Sequence, residues 1–410
     1  MKDTKRCNFC GRSEKEVGLL IEGGNVFICD HCIEIANDVM KQHRHTTDKF
    51  ELSKLPTPEE IKAHLDKYVI GQDDAKIAMA VAVYNHYKRL RYAIEADDKE
   101  DVELEKSNIV MVGPTGTGKT LLARTIAKLL VVPFTIVDAT VLTEAGYVGE
   151  DVESILSRLL QIADYDVKAA ERGIVFIDEI DKIARKGDNP SITRDVSGEG
   201  VQQGLLKLLE GSKINVPPQG GRKHPEQKFV EIDTKNILFI CGGAFDGIEK
   251  QIAQRLNTRV VGYSAAEETA KIDRKNLMQY IAPMDLKSFG LIPEIIGRLP
   301  VLTYLKPLDR VALRNILTEP QNSIIRQYTK LFEMDGVQLT FDKKVLDFIV
   351  DKAVEFKLGA RGLRSIVEQI MMEKMFETPS KQIKTLKITL DYAVKQLQKA
   401  NMATMQAKTE

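Results

Sequence analysis

The sequence predicts an α/β protein in which helices wrap a parallel β-sheet, preceded by a cysteine-bearing module and followed by a smaller, mainly helical domain. Between residues 65 and 306, short apolar runs alternate with helical stretches and glycine-rich turns. This alternation is typical of strands and crossover helices in a parallel sheet. Four of the five cysteines lie within the first 32 residues, and after Pro307 the pattern becomes mostly helical.

Length and composition set bounds on these domains. The chain has 410 residues, which is too long for one ordinary domain, and its 43% hydrophobic and 29% charged residues are typical of a soluble globular protein. The formal net charge is zero, so bulk electrostatics does not favour a nucleic-acid or membrane-surface protein. No apolar run reaches the roughly 18 to 20 residues of a membrane span, and no signal-peptide core follows the N-terminus. We therefore expect a cytoplasmic protein whose cysteines are thiols or metal ligands.

The first element contains two short cysteine turns. Cys7 and Cys10 form one C-x2-C pair, Cys29 and Cys32 form a second, and 18 residues separate the pairs. Each turn directs two thiolates at one point, so two turns complete a tetrahedral Zn²⁺ shell. So small a module has too little core to fold alone, and the metal would supply the folding free energy. We predict zinc bound by these four cysteines, with His31 outside the filled shell; redox dithiols are the alternative.

Composition shifts divide the rest of the chain. Residues 41–60 are polar and contain two prolines near their end, and they close on a helix start with Thr57 as N-cap, Pro58 in the first turn and Glu60 completing a capping box. The predicted boundaries are a zinc-binding domain at 1–50, a linker at 51–64, a large domain at 65–306, a small C-terminal domain at 307–395 and a disordered tail at 396–410.

Five apolar runs are predicted to form the strands of the large domain. They read "NIVMVG", "FTIVDAT", "GIVFIDE", "NILFICGG" and "PVLTYL". Cys241 lies within the fourth run and is expected to be a small core residue. A charged run at 94–108 is expected to be a solvated loop that leads into the first strand. The small domain is expected to contain one short strand pair.

A phosphate-binding loop follows the first of these strands. "GPTGTGKT" (113–120) matches G-x-x-x-x-G-K-[ST] at every fixed position and opens a helix. Backbone N–H groups would bind the phosphates at the helix N-terminus, Lys119 would reach the β- and γ-phosphates, and the Thr120 hydroxyl would bind Mg²⁺. The predicted contacts with ATP are Pro114, Thr115, Gly116, Thr117, Gly118, Lys119, Thr120 and Leu121.

A second strand ends in acids. In "GIVFIDEID" (173–181), Asp178 is placed to hold Mg²⁺ through water and Glu179 to orient or deprotonate the attacking water. A strand that ends in solvated acids is the alternative, which the phosphate loop disfavours.

These two motifs and the separate helical domain resemble the AAA+ ATPases. The resemblance runs from Cys7 to about residue 390 and includes "YVIGQDDAK" (68–76), similar to the family segment over the adenine, which implies nucleotide contacts from Val69 and Ile70. It implies that Arg298, in "GLIPEIIGRLP", reaches from one subunit into the neighbour's site, and that Arg361, in "GARGLR", senses nucleotide in its own subunit.

The resemblance also implies an assembly. Asn236, beside the fourth strand, is assigned as the sensor-1 polar group. Each of these three polar residues has a plainer interpretation as a surface or capping residue. An arginine supplied from a neighbour requires a ring, and the ring of this family is a homohexamer.

Three exposed loops resemble those of the family members that unfold proteins. "EAGYVGED" (144–151) would present Tyr147 and Val148 to an axial channel, where they grip a polypeptide without reading its sequence; a turn with a folded-back tyrosine is the alternative. "PPQGGRKHPEQ" (217–227) would place Arg222, Lys223 and His224 at the channel entrance, where they select acidic or carboxylate-bearing chain ends.

The third loop concerns a separate peptidase. Members of this group dock on their peptidase through an aliphatic-glycine-phenylalanine tripeptide. The matching place at 257–273 reads Val261-Gly262-Tyr263, which departs from that pattern by a smaller aliphatic residue and an added hydroxyl. We expect docking by this loop; a surface loop of a remodeller without a protease is the alternative.

The sequence therefore predicts an ATP-dependent unfoldase and translocase that takes tagged proteins, with adaptors acting on the zinc module, and passes them to a separate peptidase. A AAA+ nucleic-acid motor is the first alternative, and zero net charge and an aromatic pore loop argue against it. A self-contained protease is the second, and the chain leaves no room for a third domain with a protease site.

Overall fold

A five-stranded parallel sheet lies at the centre of the larger of two units in the computed structural model. The units are Met1–Glu51 and Leu52–Glu410. The structure describes residues 5–24, 26–36, 55–95, 102, 104–143, 150–184, 198–217, 229–258, 273, 276–356, 359–381 and 383–406.

The N-terminal unit is a small hairpin with a helical segment after it. Strand β1 (Leu20–Gly23) pairs antiparallel with β2 (Val26–Cys29), and a helix covers residues 30–36. Its core consists of Cys7, Cys29 and Cys32, with Val17, Leu20 and Ile28 packed against them. So few apolar side chains provide little hydrophobic stabilisation, as expected for a module that depends on a metal.

The five predicted strands form the central sheet of the larger unit, and all of its pairs are parallel. The sheet order is β11-β3-β10-β7-β4. Because Gly243 pairs with Val112 and Asp138 with Asp178, the carboxyl ends of the strands meet at one edge. The strands are β3 (Ile109–Val112), β4 (Phe134–Asp138), β7 (Ile174–Asp178), β10 (Leu238–Gly243) and β11 (Val301–Tyr304).

Helices and two short strand pairs surround this sheet. Strands β5 (Leu142–Thr143) and β6 (Glu150–Asp151) pair with each other, and β8 (Lys213–Val216) pairs antiparallel with β9 (Val230–Asp233). The helices are α1 (Pro58–Asp66), α2 (Asp73–Glu95), α3 (Lys119–Leu130), α4 (Ser154–Ile162), α5 (Val167–Ala170), α6 (Glu199–Glu210), α7 (Ile248–Thr258), α8 (Pro283–Phe289) and α9 (Pro293–Gly297).

A helical domain follows β11 and has its own core. The predicted strand pair is present as β12 (Gln338–Phe341) and β13 (Thr385–Ile388), which run parallel. Apolar side chains from every helix of the domain form one cluster, as the 3.6-residue apolar period predicts. The helices are α10 (Arg310–Thr318), α11 (Ile324–Met334), α12 (Lys343–Glu355), α13 (Gly359–Glu377) and α14 (Leu390–Gln406).

Two predicted boundary segments differ from the structure. The predicted linker 51–64 includes most of α1, whose Thr57 capping box is present and whose Ile61 is fully buried. The predicted tail from residue 396 lies within α14, which continues to Gln406 and buries Leu397. Both segments are mainly polar, so the apolar side chains that they bury, Ile61 in the first and Leu397 in the second, give only a weak signal in the sequence.

The charged run at 94–108 also differs at its end. Asn108 is buried, and Lys106 Nζ donates to the carbonyl oxygen of Thr234 at 2.8 Å and lies 4.5 Å from the centroid of the Phe239 ring. Burial lowers the pKa of Lys106 to about 7. The run therefore ends inside the protein, where backbone carbonyls replace water as partners of the lysine.

Among the described residues, no helix is both long and apolar enough to cross a membrane.

Candidate nucleotide site and metal centre

The phosphate loop connects the central strand β3 to helix α3. Gly116 and Gly118 have φ values of 83° and 105°, which L side chains rarely adopt, so glycine is required at both positions. Thr117 Oγ1 donates to the carbonyl oxygen of Pro114 at 2.8 Å and closes the turn. The loop therefore has a defined shape, and its N–H groups lie at the N-terminus of α3.

Lys119 lies at the first position of α3 with its ammonium group inside the loop. Its Nζ donates to the carbonyl oxygens of Gly113 and Pro114, at 2.5 and 3.1 Å. Burial lowers the pKa of Lys119, and the negative charges of Asp178 and Asp181 oppose this shift. Charged phosphate oxygens form stronger hydrogen bonds with an ammonium than neutral carbonyls do, so Lys119 is placed to transfer to them.

Thr120 and Asp178 come together at the carboxyl edge of the sheet. The Thr120 hydroxyl donates to Asp178 Oδ2 at 3.1 Å. Hydroxyl and carboxylate oxygens are ligands that suit Mg²⁺, so the pair fits the predicted metal position. Glu179 follows with a φ of 57°, and its side chain is exposed. This strained turn directs it away from the strand, where a catalytic group would meet solvent and substrate.

The predicted adenine segment lies next to the phosphate loop. A Cβ on Gly118 would lie 4.0 Å from Val69 Cγ1. Lys76 Nζ donates to the carbonyl oxygen of Val69 at 2.7 Å and pairs with Asp66 at 2.6 Å. Ile70 is half-buried in the same segment. The segment is thus fixed to the first turns of α2.

The N-terminus of α13 also approaches the phosphate loop. A Cβ on Gly116 would lie 3.5 Å from the backbone N of Ala360, and one on Gly359 would lie 3.4 Å from the carbonyl oxygen of Thr115. Arg361 is exposed, and its charge contributes to lowering the pKa of Lys119. The helical domain therefore brings its predicted nucleotide-sensing arginine near the phosphate loop.

Arg298 lies at the opposite edge of the sheet. It precedes β11, whose carboxyl end is next to the phosphate loop, and its side chain is 52% exposed. Its Nη2 forms an ion pair with Glu210 Oε1 at 3.0 Å. The structure therefore places Arg298 at the amino edge of the sheet, away from the phosphate loop of its own chain and partly exposed to solvent.

The structure does not bring Asn236 to the nucleotide site. Asn236 precedes β10 and therefore lies at the amino edge of the sheet, where its carbonyl oxygen is 3.0 Å from His86 Nε2. The phosphate loop follows the carboxyl end of the paired strand. The sensor-1 assignment of Asn236 is therefore wrong.

Two acidic residues of the site were not selected from the sequence. Asp181 is 5% exposed and accepts a hydrogen bond from the backbone N–H of Ala244 at 3.1 Å. Its negative charge, and that of Asp246 just beyond β10, act to raise the pKa of Lys119. Asp181 could have been noticed because it ends the quoted acidic run, whereas Asp246 carries no sequence signal of its own.

The four predicted zinc ligands form one cluster. Their Sγ atoms all lie within 4.8 Å of one another, with 3.9 Å between Cys7 and Cys32 and 3.6 Å between Cys10 and Cys29. A tetrahedron with Zn–S bonds of about 2.3 Å has edges of about 3.8 Å, so the residues fit zinc. The backbone N–H of Cys29 donates to Cys7 Sγ at 3.3 Å, which would stabilise a thiolate.

The residues assigned to the three exposed loops lie outside the described part of the chain. They are Tyr147, Val148, Arg222, Lys223, His224, Val261, Gly262 and Tyr263.

The phosphate loop, the neighbouring acidic strand and the helical domain that contacts the loop define an AAA+ ATPase. An AAA domain (Cdc48 subfamily) matches residues 104–302, and the C-terminal D2-small domain of ClpB protein matches residues 308–390. These matches confirm the predicted fold, with ATP and Mg²⁺ as the ligands of the phosphate-loop site.

The N-terminal module narrows the assignment. A ClpX C4-type zinc finger matches residues 5–42, which confirms Zn²⁺ as the metal of the cysteine cluster. The chain is 72% identical over 411 residues to the ATP-dependent Clp protease ATP-binding subunit ClpX of Bacteroides thetaiotaomicron, with 99% of each chain covered. It is 73% identical over 409 residues to the protein of that name from Bacteroides fragilis (98% of each) and 68% identical over 397 residues to that from Porphyromonas gingivalis (96% of each). The chain belongs to the ClpX family.

Proposed function

We propose that this chain is the ATP-driven subunit of a two-component protease. As a homohexamer it recognises tagged proteins, unfolds them through an axial pore and delivers them to a ClpP-like peptidase, and without the peptidase it remodels proteins as a chaperone. The observation that supports this best is the combination, in one chain, of a ClpX-type zinc finger with an AAA domain that carries the phosphate loop and the acidic strand. The Bacteroides and Porphyromonas relatives are named as the ATP-binding subunit of an ATP-dependent protease.

Hydrolysis in this proposal uses residues of two subunits. Thr120 and Asp178 would hold Mg²⁺, which would supply positive charge to offset that of the phosphates. Glu179 orients and deprotonates the attacking water, while Lys119 binds the γ-phosphate. Arg298 of one subunit stabilises the charge of the transferred group in its neighbour, because its exposed position at the amino edge of the sheet leaves it free for that role.

The mechanical work falls to loops outside the described residues. Tyr147 and Val148 grip the polypeptide by apolar contact, and Arg222, Lys223 and His224 attract acidic or carboxylate-bearing chain ends at the pore entrance. The zinc module takes adaptors or substrates. These roles, together with a cytoplasmic location, rest on the sequence and on family membership.

Peptidase docking uses Val261, Gly262 and Tyr263. A tyrosine hydroxyl buried without a partner would oppose docking by about 1 to 3 kcal/mol per site. The cleft of the matching peptidase should therefore offer a polar group or an open end to the phenol.

The test is ATP turnover by the purified hexamer alone, with an unfolded protein, and with DNA. We expect the unfolded protein to stimulate turnover and DNA to leave it unchanged. The Glu179→Gln hexamer is the matched control, since it should bind ATP without supporting stimulated turnover. Stimulation by DNA and not by protein would favour the nucleic-acid motor instead.

A further inference from the structure

Gln72 has an unusual backbone and a buried side chain. It follows Val69 and Ile70 and directly precedes α2, and both Gly71 and Gln72 have positive φ, at 61° and 62°. Glycine and asparagine adopt this left-handed conformation more readily than glutamine does. Gln72 is nevertheless only 7% exposed. The backbone alone gives no reason for glutamine, so its side chain must supply one.

The side-chain amide of Gln72 binds one distant residue twice. Its Nε2 donates to the carbonyl oxygen of Lys306 at 2.8 Å, and the backbone N–H of Lys306 donates to Gln72 Oε1 at 2.8 Å. Both polar atoms of the amide and both backbone polar groups of Lys306 are thereby satisfied. Few side chains other than glutamine and asparagine offer a donor and an acceptor in one plane.

Lys306 lies on the connection between the two domains of the larger unit. It is two residues beyond the end of β11 and four before the start of α10. Its neighbour Leu305 donates from its N–H to the carbonyl oxygen of Val112 at 2.7 Å, and a Cβ on Gly113 would lie 2.7 Å from the Leu305 carbonyl oxygen. The connection is therefore held by the phosphate-loop strand at Leu305 and by the adenine segment at Lys306.

A second buried side chain, that of Lys76, connects the start of α2 to the adenine segment. Lys76, one helical turn after Gln72, donates to the Val69 carbonyl oxygen, as described above. Val69 in turn lies beside Gly118 of the phosphate loop. The backbone N–H of Lys76 also donates to the carbonyl oxygen of Gln72 at 2.9 Å, so polar bonds connect the adenine segment at Val69, through the start of α2, to the interdomain connection at Lys306.

We propose that Gln72 is a positioning residue that ties the nucleotide-base segment to the interdomain connection, so that nucleotide binding and the placement of the helical domain are coupled. This inference rests on the proposed ATP-driven function. Without the amide bonds, the connection samples more orientations, and the fraction of subunits with Arg361 near the phosphates falls. The apparent affinity for ATP falls by the same factor, because only that fraction is competent to bind.

Two variants remove the bonds by different routes. Gln72→Asn retains the amide and suits positive φ, but it is one methylene too short to reach Lys306. Gln72→Met retains length and loses both polar atoms. Asp74→Asn is the matched control, since Asp74 binds the same residue through an exposed ion pair with Lys306 Nζ at 2.9 Å, and such pairs contribute little.

The experiment uses the full-length hexamer with ATP and no protein substrate. Hydrogen exchange at the Lys306 amide should accelerate by at least about tenfold in both Gln72 variants, and KM for ATP should rise about five- to tenfold, with a smaller change in kcat. The Asp74→Asn hexamer should match the parent in both measurements. Circular dichroism melts verify that each variant is folded.

Two outcomes would overturn the proposal. Unchanged exchange at Lys306 in both Gln72 variants would show that the amide bonds do not hold the connection. Accelerated exchange with an unchanged KM would show that they are structural and not coupled to nucleotide. Neither hydrogen exchange at Lys306 nor KM for ATP depends on the unfolding of a protein substrate, so a failure of the proposed unfoldase function would be recognised separately.

Discussion

Replacing Arg298 by alanine separates a catalytic role from a structural one, because the two roles differ greatly in magnitude. In the structure, Arg298 makes one exposed ion pair, with Glu210 at 3.0 Å, and pairs of this kind contribute about 0.2 to 1 kcal/mol. An arginine that stabilises a transferring phosphoryl group contributes about 10³ to 10⁵ in rate, which corresponds to about 4 to 7 kcal/mol. We therefore expect Arg298→Ala to leave the melting temperature and nucleotide affinity nearly unchanged and to reduce kcat by at least about a thousandfold.

The matched control is Glu210→Gln, which weakens the same ion pair and retains the arginine. Its turnover should stay within about twofold of the parent, because an exposed pair has little energy to lose. The assay is steady-state ATP hydrolysis by assembled hexamers, with nucleotide affinity measured separately by titration. Equal losses of turnover in the two variants would indicate that Arg298 acts through its ion pair with Glu210 and not through contact with the transferred phosphoryl group.

Mixed hexamers test whether the arginine acts in a neighbouring subunit. An Arg298→Ala chain retains Asp178 and Glu179, and a Glu179→Gln chain retains Arg298. Where Arg298 of a Glu179→Gln chain reaches into the nucleotide site of an Arg298→Ala chain, that site has both its acidic residues and its arginine. Mixing the two inactive chains should restore part of the activity, and no recovery in verified mixed rings would refute supply from a neighbour.

Four further predictions address the other proposed roles. Glu179→Gln should bind ATP and assemble but lose nearly all hydrolysis, and turnover near the parental rate would assign Glu179 another role. Tyr147→Ala should retain ATPase activity yet fail to unfold a stable tagged domain, with a smaller defect on substrates that are already unfolded; equal defects on both would contradict a gripping role. Cys10→Ser or zinc chelation should unfold the N-terminal module, as measured by circular dichroism, and leave basal ATPase activity intact. Loss of the ATPase core together with the module would contradict the independence of the two. Changing Val261 and Tyr263 together to alanine should abolish degradation with the matching peptidase and preserve unfolding, whereas unchanged degradation would exclude this loop from docking.

The central sheet and the nucleotide motifs were predictable because their signals are local. Each strand is a short apolar run, four of the five end in glycine or an acid, and in a parallel sheet such ends meet at one edge. The same rule could have prevented the Asn236 error. Asn236 comes before its strand, so its position along the sequence already places it at the edge away from the phosphates.

The contacts that the sequence did not reveal join distant parts of the chain. The amide of Gln72 binds a residue 234 positions away, and Lys106 binds a carbonyl 128 positions away. No periodicity marks such pairs, because their partners are backbone atoms that carry no residue identity. The start of α1 was predicted from its capping box, but most of the helix was assigned to the linker, because its two buried side chains, Ile61 and Leu65, give only a weak apolar pattern.

The central claim is that ATP hydrolysis by this chain moves polypeptide into a separate peptidase. Its most direct test is degradation of a fluorescein-labelled unfolded protein by the purified chain, its matching ClpP-like peptidase and ATP, with each component omitted in turn. We predict rapid release of labelled peptides only when all three are present, and none when Glu179→Gln replaces the parent. Release by the chain without the peptidase, or equal release with and without ATP, would contradict the account.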